Sequence, residues 1–198
     1  MRVIALEPSH EIYTCRSYLI LGEWNQLGDV NTLIDPGTDG AVLAQIEKLS
    51  TGCGKVPVSQ ILLTHNHFDH GGGIGQIKKM YGCRVYAWCD GKDVDELLYD
   101  GQFLKAGDDQ LQVLHTPGHS SDSICLYNLK QKLLFSGDTQ LRVRSSDGVF
   151  TQEYVESLRR LAHLDIEIVY SGHDQPVTGG VQEMLNNTLA QVRRSKIF

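Results

Sequence analysis

The side chains with the clearest chemical potential lie in one short stretch of the sequence. His65, His67, Asp69 and His70 fall within six residues, directly after the apolar run 61–63 and just before three glycines. Imidazole and carboxylate groups are common ligands of transition metals. Residues two apart on an extended segment point to the same side, so His65 and His67 can share one ion, whereas Asp69 and His70 are adjacent and cannot easily share that direction. The spacing predicts two neighbouring metal positions, with a polar loop facing water as the alternative.

Three further places show the same local pattern, in which an apolar segment meets small or turn residues and then one metal-type side chain. A Thr-Pro-Gly turn precedes His119, and a Ser-Gly pair precedes both Asp138 and His173. A strand end is a rigid base, and glycine lets the backbone approach an ion closely. Each place alone would be an ordinary turn, but the recurrence indicates one site assembled from several strand ends.

The pattern of apolar residues predicts the elements that position these side chains. The predicted strands are 3–6, 13–21, 30–34, 58–63, 84–87, 111–115, 123–127, 133–135 and 166–170. The predicted helices are one with its N-cap at Asp39 and an apolar face over 42–49, then 75–81, a short helix over 93–98, 152–164 and 181–194. Two halves that each run from strands to helices predict an α/β fold of two packed sheets with helices outside.

Composition narrows the class of protein. The chain has 198 residues, 41% of them hydrophobic and 21% charged, so we expect one soluble domain over residues 1–198. A net charge of -6 argues against a nucleic acid or an anionic membrane as partner and leaves a small-molecule substrate. The five cysteines include no Cys-x-x-Cys pair, which predicts reduced thiols in a cytoplasmic protein. The sequence shows no export signal or membrane span, and it does not indicate an oligomeric state.

The Thr-His-Asn-His-Phe-Asp-His motif that begins at Thr64, together with the three turn motifs, resembles in order and approximate spacing the motif series of the metallo-β-lactamase superfamily. The variant is similar to that of glyoxalase II, a hydroxyacylglutathione hydrolase. The resemblance implies an α/β (α+β) fold, a four-layer αβ/βα sandwich of two mixed β-sheets with outer helices, and a site at one edge of the sheets. It implies a first metal on His65, His67 and His119 and a second on Asp69, His70 and His173. Asp138 would bridge the two.

Residues close to these motifs are candidates for supporting the ligands. The resemblance places Asp35 behind the site, where it would orient a ligand, because a ligand imidazole usually donates its other N–H to a carboxylate. An ordinary Asp-Pro-Gly turn is the alternative. Thr64, His115 and Ser120 lie beside the motifs in sequence, and we expect them to hydrogen-bond to the ligands.

The ligand set implies a hydrolase. Two divalent ions, with zinc expected and iron or manganese as alternatives, would hold a bridging hydroxide that attacks a thioester, ester, lactone or amide. Asp69 would both bind metal and relay a proton. One alternative is a mononuclear non-haem iron persulfide dioxygenase that uses His65, His119 and Asp138. Another is a metal-binding protein without catalysis.

The substrate is less constrained by the sequence. Residues 139–144 depart from the Gly-Cys-Gly-Arg pattern of glyoxalase II, and only one helix is predicted after His173, where those enzymes have a helical glutathione-binding domain. Both departures argue against glutathione. Arg142 and Arg144 alternate with apolar residues, so they share a face that could clamp an anionic group. A solvated edge strand is the alternative.

Overall fold

The structure is a computed structural model that describes residues 1–198. In chain order its elements are β1 (Arg2–Leu6), β2 (Ser17–Leu21), β3 (Thr32–Ile34), α1 (Ala41–Ile46), β4 (Gln60–Leu62), α2 (Phe68–Gly71), α3 (Ile74–Tyr81), β5 (Arg84–Ala87), β6 (Glu96–Leu97), β7 (Phe103–Ala106), β8 (Asp109–His115), β9 (Ile124–Asn128), β10 (Leu133–Gly137), β11 (Val149–Phe150), α4 (Gln152–Ala162), β12 (Ile168–Ser171), α5 (Val181–Val192) and β13 (Lys196–Ile197).

The strands form two mixed sheets and one small pair. The first sheet has the order β1-β2-β3-β4-β5-β6, antiparallel up to β3 and parallel from β3 onward. The second has the order β12-β10-β9-β8-β7, in which only the β12–β10 pair is parallel. Strands β11 and β13 form a separate parallel pair. None of the helices is both long enough and apolar enough to cross a membrane.

Three layers of buried apolar side chains separate four layers of structure. Strand β2 contributes to two of these apolar layers. Tyr18 and Ile20 pack between the two sheets, while the alternate residues Leu19 and Leu21 face α1 and α3. Such alternation in a strand that is buried on both faces follows from the two-residue period of side chains. The outer face of the second sheet packs against α4 and α5. This arrangement confirms the predicted αβ/βα sandwich.

Strand register brings the predicted turn motifs to one edge of the sandwich. In the first sheet Ile34 is paired with Leu62, so the chain segments that follow β3 and β4 emerge side by side. In the second sheet β10 and β12 are parallel, with a register shift between Phe135 and Gly137. The amide of Ile124 donates a hydrogen bond to the carbonyl oxygen of Thr64 at 2.8 Å, which joins the two sheets at this edge.

Most predicted elements are present, with shorter bounds, but three expectations were wrong. Residues 13–16 precede β2 and are not in a strand, because the amides of Cys15 and Arg16 bond to the carbonyl oxygens of Asp69 and Gly172. The segment predicted as a helix over 93–98 contains the strand β6, which pairs with β5. The N-cap of α1 is Gly40 rather than Asp39.

Four elements, α2, β7, β11 and β13, were not predicted. The α2 turn begins directly after His67 and carries Asp69 and His70, both of them buried. All five cysteines are unpaired, in agreement with the expected reduced thiols.

Candidate metal centre

Three imidazole rings converge at the first predicted metal position. Nδ1 of His67 lies 3.0 Å from Nε2 of His65 and 3.0 Å from Nε2 of His119. The rings of His65 and His119 are nearly perpendicular, at 88°, so their nitrogens approach one point from different directions. Three nitrogens around one point match the ligand set that zinc and similar ions accept in catalytic sites.

The second predicted position is surrounded by two imidazoles and a carboxylate. Oδ2 of Asp69 lies 3.2 Å from Nε2 of His173 and 3.8 Å from Nε2 of His70. His70 is fully buried, whereas His173 is partly exposed and faces the opening. Together with Asp138 these residues form a second group whose ligand-type atoms lie within 4.8 Å of one another.

Asp138 lies between the two groups. Its Oδ2 atom is 3.6 Å from Nε2 of His119 and 4.0 Å from Nε2 of His65 on one side. On the other side Oδ2 is 3.3 Å from Nε2 of His173, and Oδ1 is 3.2 Å from Nε2 of His70. The side chain is only 12% exposed. One carboxylate therefore faces both groups, as a bridging ligand would.

Two buried polar atoms show that the second group suits a cation. Nε2 of His70 and Oδ1 of Asp138 face each other, yet neither has a hydrogen-bond partner of adequate geometry. Buried polar atoms are almost always satisfied in native proteins, so this unpaired nitrogen and this unpaired oxygen need a further group. A divalent cation would satisfy both atoms, and the residues present fit such an ion.

The titration behaviour of the histidines differs between the two groups. Burial lowers the pKa of His65 to about 4 and also lowers the pKa of His119, so both rings are neutral and ready to bind metal. Burial also opposes the charged form of His70, but the carboxylates of Asp35 and Asp138 raise the pKa of that ring. A hydrogen bond to Asp138 likewise raises the pKa of His173. The carboxylates of the second group thus attract positive charge.

Asp35 and Thr64 lie behind the candidate ligands and contact two of them. Oδ2 of Asp35 lies 2.8 Å from Nδ1 of His70, and the hydroxyl of Thr64 donates to the same Oδ2 at 2.7 Å. The Thr64 hydroxyl is also 3.2 Å from Nδ1 of His65. One carboxylate is therefore connected to a histidine of each group, which fixes the orientation of both rings.

Glycines are required where the backbone crowds the site. A Cβ atom at Gly172 would collide with the carboxylate of Asp138 and the ring of His70. Gly137 has a φ of +48°, and a Cβ there would collide with the Thr64 side chain. These contacts explain the Ser-Gly pairs that precede Asp138 and His173.

Two other predicted supporting residues, His115 and Ser120, do not contact the candidate ligands. The structure does not bring His115 to the ligands, because its ring stacks on Trp88 at 3.9 Å and its Nε2 lies 2.9 Å from the carbonyl oxygen of Ser121. The Ser120 hydroxyl contacts the hydroxyl of Ser123 at 2.7 Å rather than a ligand.

Of the two arginines predicted to share a face, only one lines a cavity beside the site. Arg142 lines a cavity of about 610 Å³ that also includes Asp138 and His173. Arg144 is exposed and does not line this cavity.

Two residues near the site were not predicted from the sequence. Oδ2 of Asp122 accepts a hydrogen bond from the backbone amide of Asn66 at 2.8 Å, and Asn66 lies between two candidate ligands. The side chain of Tyr13 packs on His173, with ring centroids 5.2 Å apart. No local motif marks either residue, because both contacts join segments that are distant in sequence.

Comparison with known sequence families agrees with this geometry. The profile described as Metallo-beta-lactamase superfamily matches residues 13–87 and 89–173, a span that includes every candidate ligand. The chain belongs to the metallo-beta-lactamase superfamily. Among solved structures, that of the BLEG-1 B3 metallo-beta-lactamase superposes with a TM-score of 0.72 and 25% identity, covering 96% of this chain and 100% of the other. The fold of this superfamily member is therefore shown by sequence and by structure.

Curated relatives in the superfamily carry the names of thioester hydrolases. A hydroxyacylglutathione hydrolase of Bdellovibrio bacteriovorus is 35% identical over 151 residues, which cover 71% of this chain and 57% of the relative. An atrochrysone carboxyl ACP thioesterase of Aspergillus fumigatus is 30% identical over 174 residues, which cover 81% of this chain and 41% of the relative. The chain thus spans about half the length of these relatives.

Proposed function

We propose that this protein is a metal-dependent hydrolase with two metal ions, acting on acyl thioesters. The observation that carries the proposal is the position of Asp138, whose largely buried carboxylate faces two imidazoles of the first group, His65 and His119, and both imidazoles of the second. A single carboxylate between two ligand groups is suited to hold two ions at a fixed separation.

The first ion would be held by His65, His67 and His119, and the second by Asp69, His70 and His173, with Asp138 between them. Bound divalent ions would lower the pKa of a shared water toward about 7 and polarise the acyl carbonyl group. Zinc is the expected metal because nitrogen and carboxylate donors suit it, and iron and manganese bind the same types of donor.

Asp69 has a second role in the proposal. Its carboxylate lies at the end of the second group, where its Oδ2 contacts His173 at 3.2 Å. A carboxylate can orient the attacking water through a hydrogen bond and accept its proton. We assign Asp69 this catalytic role in addition to metal binding.

The cavity beside Asp138 and His173 would hold part of the substrate. Its wall includes apolar side chains from Leu141 and Met184, together with the guanidinium of Arg142, which makes no ion pair within the protein. An uncommitted guanidinium next to a reaction centre can bind a carboxylate or phosphate group in a bidentate manner. Asp174 lines the same cavity and would weaken the binding of an anion there, whereas metal ions held by the two ligand groups would favour it.

The preference for thioesters over other acyl compounds rests on the names of the relatives. Both hydroxyacylglutathione hydrolase and acyl-carrier-protein thioesterase refer to cleavage of a carbon–sulfur bond. Because the chain spans only part of each relative, the thioester class is proposed without the particular thiol.

The test is a hydrolysis assay with acyl thioesters of N-acetylcysteamine, in which the released thiol is followed with a chromogenic disulfide. The metal-free protein, prepared by chelation, is expected to be inactive and to regain turnover on addition of zinc or manganese. Turnover that survives complete removal of metal would contradict the proposal. Oxygen uptake with a persulfide and one bound iron would support a dioxygenase instead.

A further inference from the structure

A tyrosine at the rim of the candidate metal centre has a hydroxyl group without a committed partner. The Oη atom of Tyr13 lies 3.4 Å from Nε2 of His173, and the protein offers this hydroxyl no other hydrogen-bond contact. The phenol ring is stacked on the His173 ring, with an interplanar angle of 19°. The side chain is nevertheless 65% exposed, so a substrate at the site can reach its hydroxyl.

The backbone around Tyr13 is fixed to the same segments that carry the second ligand group. The amide of Cys15 donates to the carbonyl oxygen of Asp69 at 3.0 Å, and the amide of Arg16 donates to that of Gly172 at 2.6 Å. On the other side, the hydroxyl of Thr38 donates to the carbonyl oxygen of Tyr13 at 2.6 Å. These bonds hold the backbone of residues 13–16 against the segments that carry Asp69 and His173.

Packing favours one orientation of the ring. Besides its stacking on His173, the Tyr13 ring has a tilted contact with Phe68, whose ring centroid is 6.4 Å away at an interplanar angle of 44°. The stacked contact with His173 covers one face of the phenol ring and leaves its hydroxyl end exposed. The hydroxyl group of a tyrosine can donate a hydrogen bond. A hydroxyl donor without a committed partner, on a ring that packs against the candidate metal centre, is suited to stabilising negative charge on a substrate.

We propose that Tyr13 is a further catalytic residue, whose hydroxyl donates a hydrogen bond to the acyl carbonyl oxygen as negative charge develops on it. The inference rests on the proposed thioester hydrolysis. When the water oxygen bonds to the carbonyl carbon, the π electron pair of the C=O bond moves onto oxygen, where Tyr13 stabilises it. The pair then returns as the carbon–sulfur bond breaks. The sulfur leaves with the bonding pair and takes up the proton released by water, while Tyr13 keeps its own proton.

The variant Tyr13→Phe keeps the aromatic contacts with His173 and Phe68 and removes only the hydroxyl. Loss of one donor to a developing oxyanion typically lowers kcat by about 10²-fold, and we expect this effect with butyryl-N-acetylcysteamine and little change in KM. Tyr99→Phe is the matched control, because Tyr99 is also 64% exposed and lies outside the site. The metal-to-chain ratio of Tyr13→Phe should equal that of the wild type.

A binding measurement gives a second readout that does not depend on turnover. Propylphosphonate, with its charged tetrahedral phosphorus group, mimics the attacked butyryl carbonyl, whereas butyrate mimics the product. By calorimetry on the metal-loaded protein, Tyr13→Phe should bind propylphosphonate at least tenfold more weakly and butyrate equally well.

The possible failures are distinguishable. If the wild type does not hydrolyse thioesters, the proposed function fails. If the wild type is active and Tyr13→Phe has the same kcat and the same phosphonate affinity, the role of Tyr13 is wrong. A loss of bound metal in Tyr13→Phe would also overturn the proposal, because the residue would then be supporting His173 rather than contacting substrate.

Discussion

The Nδ1 atom of His70 lies 2.8 Å from Oδ2 of Asp35, and this contact is fully buried. The other carboxylate oxygen of Asp35 accepts the backbone amide hydrogen of Thr64 at 2.8 Å. Asp35 therefore links a candidate ligand of the second metal position to the strand end that carries His65. The residue has a φ of +49°, a conformation that costs free energy in a non-glycine residue and is maintained by these contacts.

Replacement of Asp35 by asparagine is expected to weaken metal binding. Asparagine tolerates the positive φ, so the turn is retained, but the loss of charge removes the carboxylate that orients His70. We expect a 10- to 100-fold lower affinity at one of the two sites, measured by competition with a chromogenic chelator. Asp147→Asn, at an exposed position, is the control. Equal affinities in the two variants would show that Asp35 only forms a turn.

Asp122 is expected to support the first ligand group through the backbone. Its carboxylate accepts the amide hydrogen of Asn66, between His65 and His67. Asp122→Ala leaves this amide without its partner, and we expect zinc affinity to fall by about tenfold, the effect of about 1.4 kcal/mol. Asp122→Asn retains an acceptor and should restore most of the affinity. If both variants bind zinc like the wild type, the contact does not position the histidines.

Gly137 should be more sensitive to substitution than other glycines with similar backbone angles. Alanine at Gly82, with a φ of +64° and no atom near the added Cβ, should cost about 1 kcal/mol through the left-handed conformation alone. Gly137→Ala adds a collision with Thr64, so we expect a loss above about 2 kcal/mol. Urea unfolding of the two variants checks this, and equal losses would mean that the site relaxes freely.

Arg142 is expected to select substrates by charge. In Arg142→Gln, KM for succinyl-N-acetylcysteamine should rise by about tenfold, because a charge-assisted contact is lost, while KM for the neutral butyryl thioester should change little. Arg144→Gln is the matched control, since Arg144 does not line the cavity. A similar effect of both variants on both substrates would show that the cavity does not bind the acyl group.

The sequence was most informative where a site residue follows a buried strand directly. His65, Asp138 and His173 stand close to the ends of β4, β10 and β12, and apolar runs followed by small residues mark such ends without knowledge of the fold. The layers could also be predicted, because the two-residue period of the strands and the longer period of the helices are local properties.

Contacts between distant segments could not be predicted. Residues 93–98 have a polar pattern that allows a short helix, but pairing with β5 decides their conformation. His115 is close to His119 in sequence, yet it lies at the end of β8 and turns toward Trp88. The roles of Asp122 and Tyr13 depend on hydrogen bonds and stacking across the fold, for which neither residue has a local signature.

The most direct test of the proposed function is the metal-to-chain ratio of protein saturated with zinc and passed through a desalting column, measured with thioester turnover on the same samples. We expect two zinc ions per chain in the wild type, turnover that follows zinc occupancy, and loss of both in Asp138→Ala, because this carboxylate faces both ligand groups. Full turnover in a sample without bound metal, or an Asp138→Ala variant that keeps two ions and full activity, would contradict the proposed dinuclear hydrolase.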